Sequence, residues 1–292
     1  MSDRRPIGVF DSGVGGLTVL REIVRRTPGE STVYLGDNAR APYGVRSDAE
    51  VLAFSTECLD RLAERDVKAI VVACNTSTAV AIDALRRRYD LPILGVIRPG
   101  ASAAALATRN RRVGVIATPA TIRSHAYFGA IKDENPAVEV YEHATPTLVP
   151  LVEAGILTGA ATEAAVADAL APLLGERYVS GESIFPRPPG STIDTLLLGC
   201  THYPLLRPII AALVGEGVAI VDSATATASA LAELLKINAL EADVAPRTGD
   251  APGPTHLQLT TGDPGSFHAL ASRLFGSAFP EVAHIELAVA AR

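Results

Sequence analysis

Ile70-Val71-Val72-Ala73-Cys74-Asn75-Thr76 and Leu196-Leu197-Leu198-Gly199-Cys200-Thr201-His202 decide how this chain reads. Each is a short apolar run that ends in a cysteine and passes into polar residues suited to opening a helix, and the two cysteines lie 126 positions apart. A continuous apolar run of this length fits a strand buried on both faces, the environment of a parallel sheet. The pair therefore predicts one device used twice: a parallel strand, a thiol at its carboxyl end, then a helix N-terminus. Unpaired N–H groups and the helix dipole stabilise a thiolate there, so both thiols are expected to be more acidic than a free cysteine. Two such thiols facing one small molecule from opposite sides would be an acid and a base.

The same alternation runs along the whole chain. Strand patterns fall at 7–10, 32–36, 69–73, 93–97, 113–116, 138–141, 195–199, 218–221, 257–261 and 284–289, and helix patterns at 16–26, 48–65, 77–88, 121–132, 160–174, 204–214 and 224–239. This is the order of an α/β protein with mainly parallel sheets. A weak repeat relates Ile7-Gly8-Val9-Phe10-Asp11-Ser12-Gly13 to Val113-Gly114-Val115-Ile116-Ala117-Thr118-Pro119, both strands that end in a hydroxyl-bearing turn. With the cysteine runs, each half reads strand-hydroxyl, then strand-thiol. Two similar α/β lobes related by a pseudo-twofold axis would bring all four strand ends to one cleft, where ligands of parallel sheets bind. Residues 1–98 with about 205–292 are expected to form the lobe carrying Cys74, and 99–204 the lobe carrying Cys200. Ile97-Arg98-Pro99-Gly100 has turn chemistry and marks the first crossing, and the second is placed near Tyr203-Pro204. The Pro- and Gly-dense stretch 179–192 reads as an exposed loop, either an insertion or a lid.

The 292 residues are 48% hydrophobic and 20% charged, which suits a globular chain with room for two cores. A net charge of -6 argues against a nucleic-acid groove, and Arg86-Arg87-Arg88 reads as a solvated helix end. Three cysteines make no disulfide scaffold. With no signal-peptide pattern and no apolar run of membrane-spanning length, a cytoplasmic protein with no membrane contact is expected. Cys58 lies on a helix opened by Ser47-x-x-Glu50, a capping box, and shares a face with Val51, Ser55, Leu59 and Leu62. It is read as a small buried hydrophobe.

Four motifs taken together resemble glutamate racemase, of the aspartate/glutamate racemase superfamily. They are Asp11-Ser12-Gly13-Val14-Gly15-Gly16-Leu17, Gly36-Asp37-Asn38-Ala39-Arg40-Ala41-Pro42-Tyr43-Gly44, Ala73-Cys74-Asn75-Thr76 and Gly199-Cys200-Thr201-His202-Tyr203-Pro204. The resemblance holds in order and spacing from about residue 6 to about residue 235. It implies two α/β lobes around a buried cleft and a cofactor-independent interconversion of L- and D-glutamate, the D form serving peptidoglycan. It further implies that Cys74 acts on the D enantiomer and Cys200 on the L enantiomer. Asp11 and Ser12 would reach the substrate ammonium on the Cys74 side, and His202, with Glu153, would assist Cys200. Tyr43, Gly44, Thr118 and Thr121 would hold the side-chain carboxylate. A homodimer and an interaction with DNA gyrase are implied by family analogy alone. Arg98 and the Pro-rich 179–192 stretch depart from the family pattern.

The residues support such chemistry independently. Inverting a Cα centre needs a base on one face and an acid on the other, of similar strength and opposite protonation. No lysine among Lys68, Lys132 and Lys236 sits at a strand-end turn suited to a Schiff base, so the developing carbanion must be stabilised by fixed dipoles. The N–H groups of Asn75, Thr76, Thr201 and His202 are placed to do this, and one such donor is worth on the order of 3 kcal/mol of barrier. Other readings stay open from sequence: structural thiols, a redox pair, a metal site of Cys74, Cys200 and His202, or a phosphate-binding turn at Asp11-Ser12-Gly13. Asp37 could cap its turn or belong to the site, and Glu153 could be a solvated helix residue. The functional alternatives are an aspartate or broad-specificity racemase, a non-catalytic amino-acid sensor, and an interaction protein.

Overall fold

The computed structural model describes residues 3–174, 193–242, 253–276 and 282–287. The 179–192 stretch therefore lies outside the described residues.

The first sheet is built from β1 (Ile7–Asp11), β2 (Thr32–Gly36), β3 (Ala69–Val72) and β4 (Ile93–Gly95), joined by α1 (Leu17–Arg26), α2 (Asp48–Ala63) and α3 (Asn75–Arg88). The second holds β5 (Arg112–Ala117), β6 (Glu139–Ala144), β7 (Thr195–Gly199) and β8 (Ala219–Asp222), with α4 (Ile97–Ala107), α5 (Pro119–Arg123), α6 (Ala126–Glu134), α7 (Leu148–Glu153), α8 (Ala160–Leu174) and α9 (Arg207–Val214) around it. The chain then returns through α10 (Ser223–Ile237) to the first sheet, adding β9 (His256–Thr260), α11 (Pro264–Phe275) and β10 (Val282–His284). Strand order is β10-β9-β2-β1-β3-β4 in one sheet and β6-β5-β7-β8 in the other, and every pairing is parallel. The second sheet thus repeats the order β2-β1-β3-β4, with β3 and β7 as equivalent strands. Among the described residues no helix is long and apolar enough to cross a membrane.

Buried strands explain the uninterrupted apolar runs. Along β3, Ala69 and Val71 face the core beneath α1 and α10, while Ile70 and Val72 face the core beneath α2 and α3. Along β7, Leu196 and Leu198 join the α8 and α9 side and Leu197 the α4 and α6 side. This is the period of two that a strand imposes, with both faces apolar because both are covered. The Ser47–Glu50 capping box forms in full at the start of α2.

Several expectations change. Arg98-Pro99-Gly100 is no turn but the first turn of α4, where a proline lacks only an N–H that the helix leaves unbonded anyway. The strand expected at 93–97 accordingly stops at Gly95. The return crossing does not follow Tyr203-Pro204, since β8 still pairs with β7. The helix expected over 121–132 is two helices, because Ser124 Oγ bonds Thr121 O and Ala126 N in competition with the helical ladder, and His125 takes φ 52°. The last strand is Val282–His284, not 284–289, and 288–289 lie outside the described residues.

Candidate active site

Cys74 closes β3 and forms the N-cap of α3, its Sγ accepting from the Ser77 N–H at 3.4 Å. Cys200 follows β7, and its Sγ lies 3.7 Å from His202 Nδ1. The equivalent strands thus end in equivalent thiols, and both line one cavity between the two sheets. Ser12, at the end of β1, lies on the Cys74 side with its Oγ 3.5 Å from that sulfur. Asn75 and Thr76 from the start of α3, and Thr201 and His202 after Cys200, complete the walls nearest the thiols. Gly44, Tyr43, Thr118 and Glu153 also line the cavity. All three cysteines are free, and Cys58 is buried in the core below α2 and α3.

Two of the expected site residues stand behind the wall. Asp11 is fully buried, and its Oδ2 accepts from the N–H groups of Gly13 and Gly16, each at 3.0 Å. It shapes the glycine turn that carries Ser12 and reaches Thr201 Oγ1 at 3.5 Å. Thr121 is buried too, its hydroxyl 3.1 Å from Thr118 Oγ1 and 3.4 Å from Thr76 Oγ1, while Thr76 and Thr118 meet at 3.0 Å. Tyr43 lines the cavity, but its hydroxyl donates to Asp37, which Arg40 and Thr261 also hold. Asp37 is therefore a buttress of the 3-10 turn Tyr43–Val45, which brings Gly44 against Thr118. Pro42, Val45, Thr145, Pro146, Val149 and Pro150 line the cavity as well and escaped the sequence reading. Thr145-Pro146 directly follows β6, so the rule that ligands meet strand carboxyl ends contained the signal.

The electrostatics are unlike the expectation for Cys74. Burial first, and the Asp11 carboxylate second, together push its thiol up to about 11 against the pull of the Ser12 and Ser77 contacts. Desolvation outweighs the helix end because water, which would solvate the thiolate, is excluded. Asp11 is itself raised to about 6 by burial, against the opposing effects of His202 and the Gly16 and Gly13 N–H groups. For His202, burial opposes the charge, yet the Cys200 sulfur and Glu153 bring it up to about 10. Its Nε2 lies 3.3 Å from Glu153 Oε1, an ion-pair distance outside hydrogen-bond alignment. One thiol thus neighbours a carboxylate and the other an imidazolium.

The halves meet closely around the cavity. Thr18 Oγ1 donates to Thr201 O at 3.1 Å, and Tyr127 Oη donates to Asn75 Oδ1 at 2.6 Å. A Cβ at Gly15 would come within 2.6 Å of the His202 ring, so only glycine lets the first turn lie against it.

A family model described as Asp/Glu/Hydantoin racemase matches residues 7–180. The glutamate racemase of Geobacter metallireducens is 43% identical over 288 residues, 97% of each chain. The crystal structure of a glutamate racemase isoform of Bacillus anthracis superposes with a TM-score of 0.85 at 40% identity, covering 98% of both chains. That of the Francisella tularensis glutamate racemase in complex with D-glutamate gives a TM-score of 0.83 at 32% identity over 98% of this chain and 99% of that one. The chain therefore belongs to the Asp/Glu/Hydantoin racemase family, alongside its glutamate racemases, and is an isomerase.

Proposed function

We propose that this protein interconverts L- and D-glutamate by proton transfer between Cα and two thiols, Cys74 and Cys200, supplying D-glutamate for peptidoglycan. The observation that carries the reading is that one cavity is lined by both cysteines, each from the carboxyl end of an equivalent strand in opposite sheets. Within a largely apolar lining, Ser12, Asn75, Thr76, Thr118 and Thr201 supply polar groups for a small amino acid, and the Francisella tularensis relative was crystallised with D-glutamate.

In the L-to-D direction the Cys200 sulfur takes the Cα proton, forming S–H, and the bonding pair remains on the substrate, delocalised into its α-carboxylate. The Cys74 thiol then gives its proton to the opposite face of Cα, so that one C–H bond is broken and one formed. Cys74 suits the role of resting acid because burial and Asp11 keep it protonated. The positively charged His202, held by Glu153, lies beside the Cys200 sulfur. N–H groups at the start of α3 and after Cys200 bind the carboxylate as its charge grows, beside thiols that are themselves buried. The Tyr43–Val45 turn and the Thr76, Thr118 and Thr121 hydroxyls hold the distal carboxylate, with Thr121 acting through the other two.

The test is incubation with L-glutamate in heavy water. D-glutamate carrying deuterium at Cα is the expected product without added cofactor, and recovery of unlabelled L-glutamate alone sinks the proposal.

A further inference from the structure

We propose that Tyr127 is a positioning residue of this site: its hydroxyl fixes the Asn75 amide so that the NH2 end, not the carbonyl, is left for a substrate carboxylate. The inference rests on the racemase reading above and adds to it a residue that does not line the cavity.

Asn75 lines the cavity at the start of α3. Its Oδ1 accepts from Tyr127 Oη at 2.6 Å, while its Nδ2 is buried with no hydrogen-bond partner. A primary amide presents an acceptor at one end and two donors at the other, and its terminal torsion has two broad wells, so an unsupported asparagine can show either end. A phenol that donates to the oxygen removes that choice. The nitrogen is then the free end, and a buried NH2 without a partner is costly enough to call for an explanation. A carboxylate in the cavity supplies the missing acceptor. The reversed amide would turn a carbonyl oxygen toward the same carboxylate and repel it.

The fold holds Tyr127 to this task. The residue is fully buried on α6, in the half opposite Asn75. A Cβ at Gly199 would lie 2.8 Å from its ring, and one at Gly100 would lie 3.5 Å from its hydroxyl. Gly199 on β7 thus opens the slot beside the ring through which the phenol reaches the first half, while a Cβ at Gly100 would meet the hydroxyl only at ordinary van der Waals distance. Burial also drives the Tyr127 pKa upward, so the hydroxyl stays a donor at working pH.

The test is a double-mutant cycle on D-glutamate turnover with Y127F, N75A and the double variant, each checked by its melting curve. Losing control of one hydrogen bond to a charged group should raise KM in Y127F on the order of tenfold, with kcat changing much less. Because Tyr127 acts through Asn75, the double variant should match the KM of N75A within about twofold. Effects that multiply, or an unchanged KM in Y127F, overturn the inference. N75D leaves Tyr127 intact and serves if Y127F fails to fold: it keeps the acceptor for the phenol but replaces the donor, so its KM should exceed that of N75A. A wild-type KM in N75D overturns the inference equally. Wild-type protein that leaves glutamate unchanged overturns the racemase reading and this one together, whereas wild-type turnover with multiplying effects overturns this one alone.

Discussion

Cys74 and Cys200 occupy equivalent places in the repeat yet have unlike neighbours, a carboxylate for one and an imidazolium for the other. Both are needed if the proton leaves one face and arrives on the other, so C74A and C200A should each lose about 10³-fold or more in kcat, followed as the optical rotation of glutamate. Near-wild-type turnover in either would exclude the two-thiol route. Asp11 makes a second prediction. Its folded pKa of about 6 exceeds the unfolded value of 3.8, so its stabilising contribution is complete below about pH 4 and is lost as pH rises through 6. Asparagine can accept the same two N–H bonds without the charge. Relative to D11N, the wild type should therefore lose on the order of 3 kcal/mol between pH 4 and pH 7, measured by urea unfolding. A constant difference across that window would show that Asp11 does not titrate there.

Between strands and helices, short turns decide the shape of the cavity. The Tyr43–Val45 turn is held from behind by Asp37, Arg40 and Thr261, and Gly44 abuts Thr118 at the start of α5. A Cβ at Gly44 would lie 2.6 Å from Thr118 Cβ, a backbone-proximal atom that cannot swing aside. Overpacking of this kind costs about 1–3 kcal/mol, and here the relief is to push the turn out of the cavity wall. G44A should accordingly raise KM for glutamate by roughly tenfold together with a moderate fall in melting temperature, since Tyr43 of the same turn packs into the core beneath α2 and α3. A large loss of melting temperature with KM intact would contradict this. The capping box of α2 was legible because it is local. The break at Ser124–His125 was not, since helix periodicity alone continues across it.

Across the molecule, two sheets of the same parallel order place four strand ends around one cavity. The first sheet is fastened at its far end by a buried ion pair, Lys68 Nζ to Glu30 Oε2 at 2.5 Å. Lys68 also donates to Asp3 O, and Glu30 accepts from the Ala242 N–H, so the pair ties the described N-terminus to the segment after α10. Removing one partner strands the other charge in an apolar setting. K68A should lose about 3–5 kcal/mol of unfolding free energy, and K68M with E30L should recover most of it. Equal losses in the single and double variants would show that the charges themselves are not the issue.

Reading the chain alone established the alternation of strands and helices, the parallel sheets and the matched thiols, because these follow from local periodicity and from residues adjacent along the backbone. Resemblance of four short motifs added the racemase family, the same one that the comparisons show. Only the folded molecule decided that Asp11 and Thr121 stand behind the cavity wall, that the chain returns to the first sheet after β8, and that Tyr127 reaches Asn75 from the other half. The raised Cys74 thiol belongs with these. Burial at a junction of two sheets depends on contacts between residues far apart in the chain, and desolvation there outweighs what a helix end does for a sulfur in water.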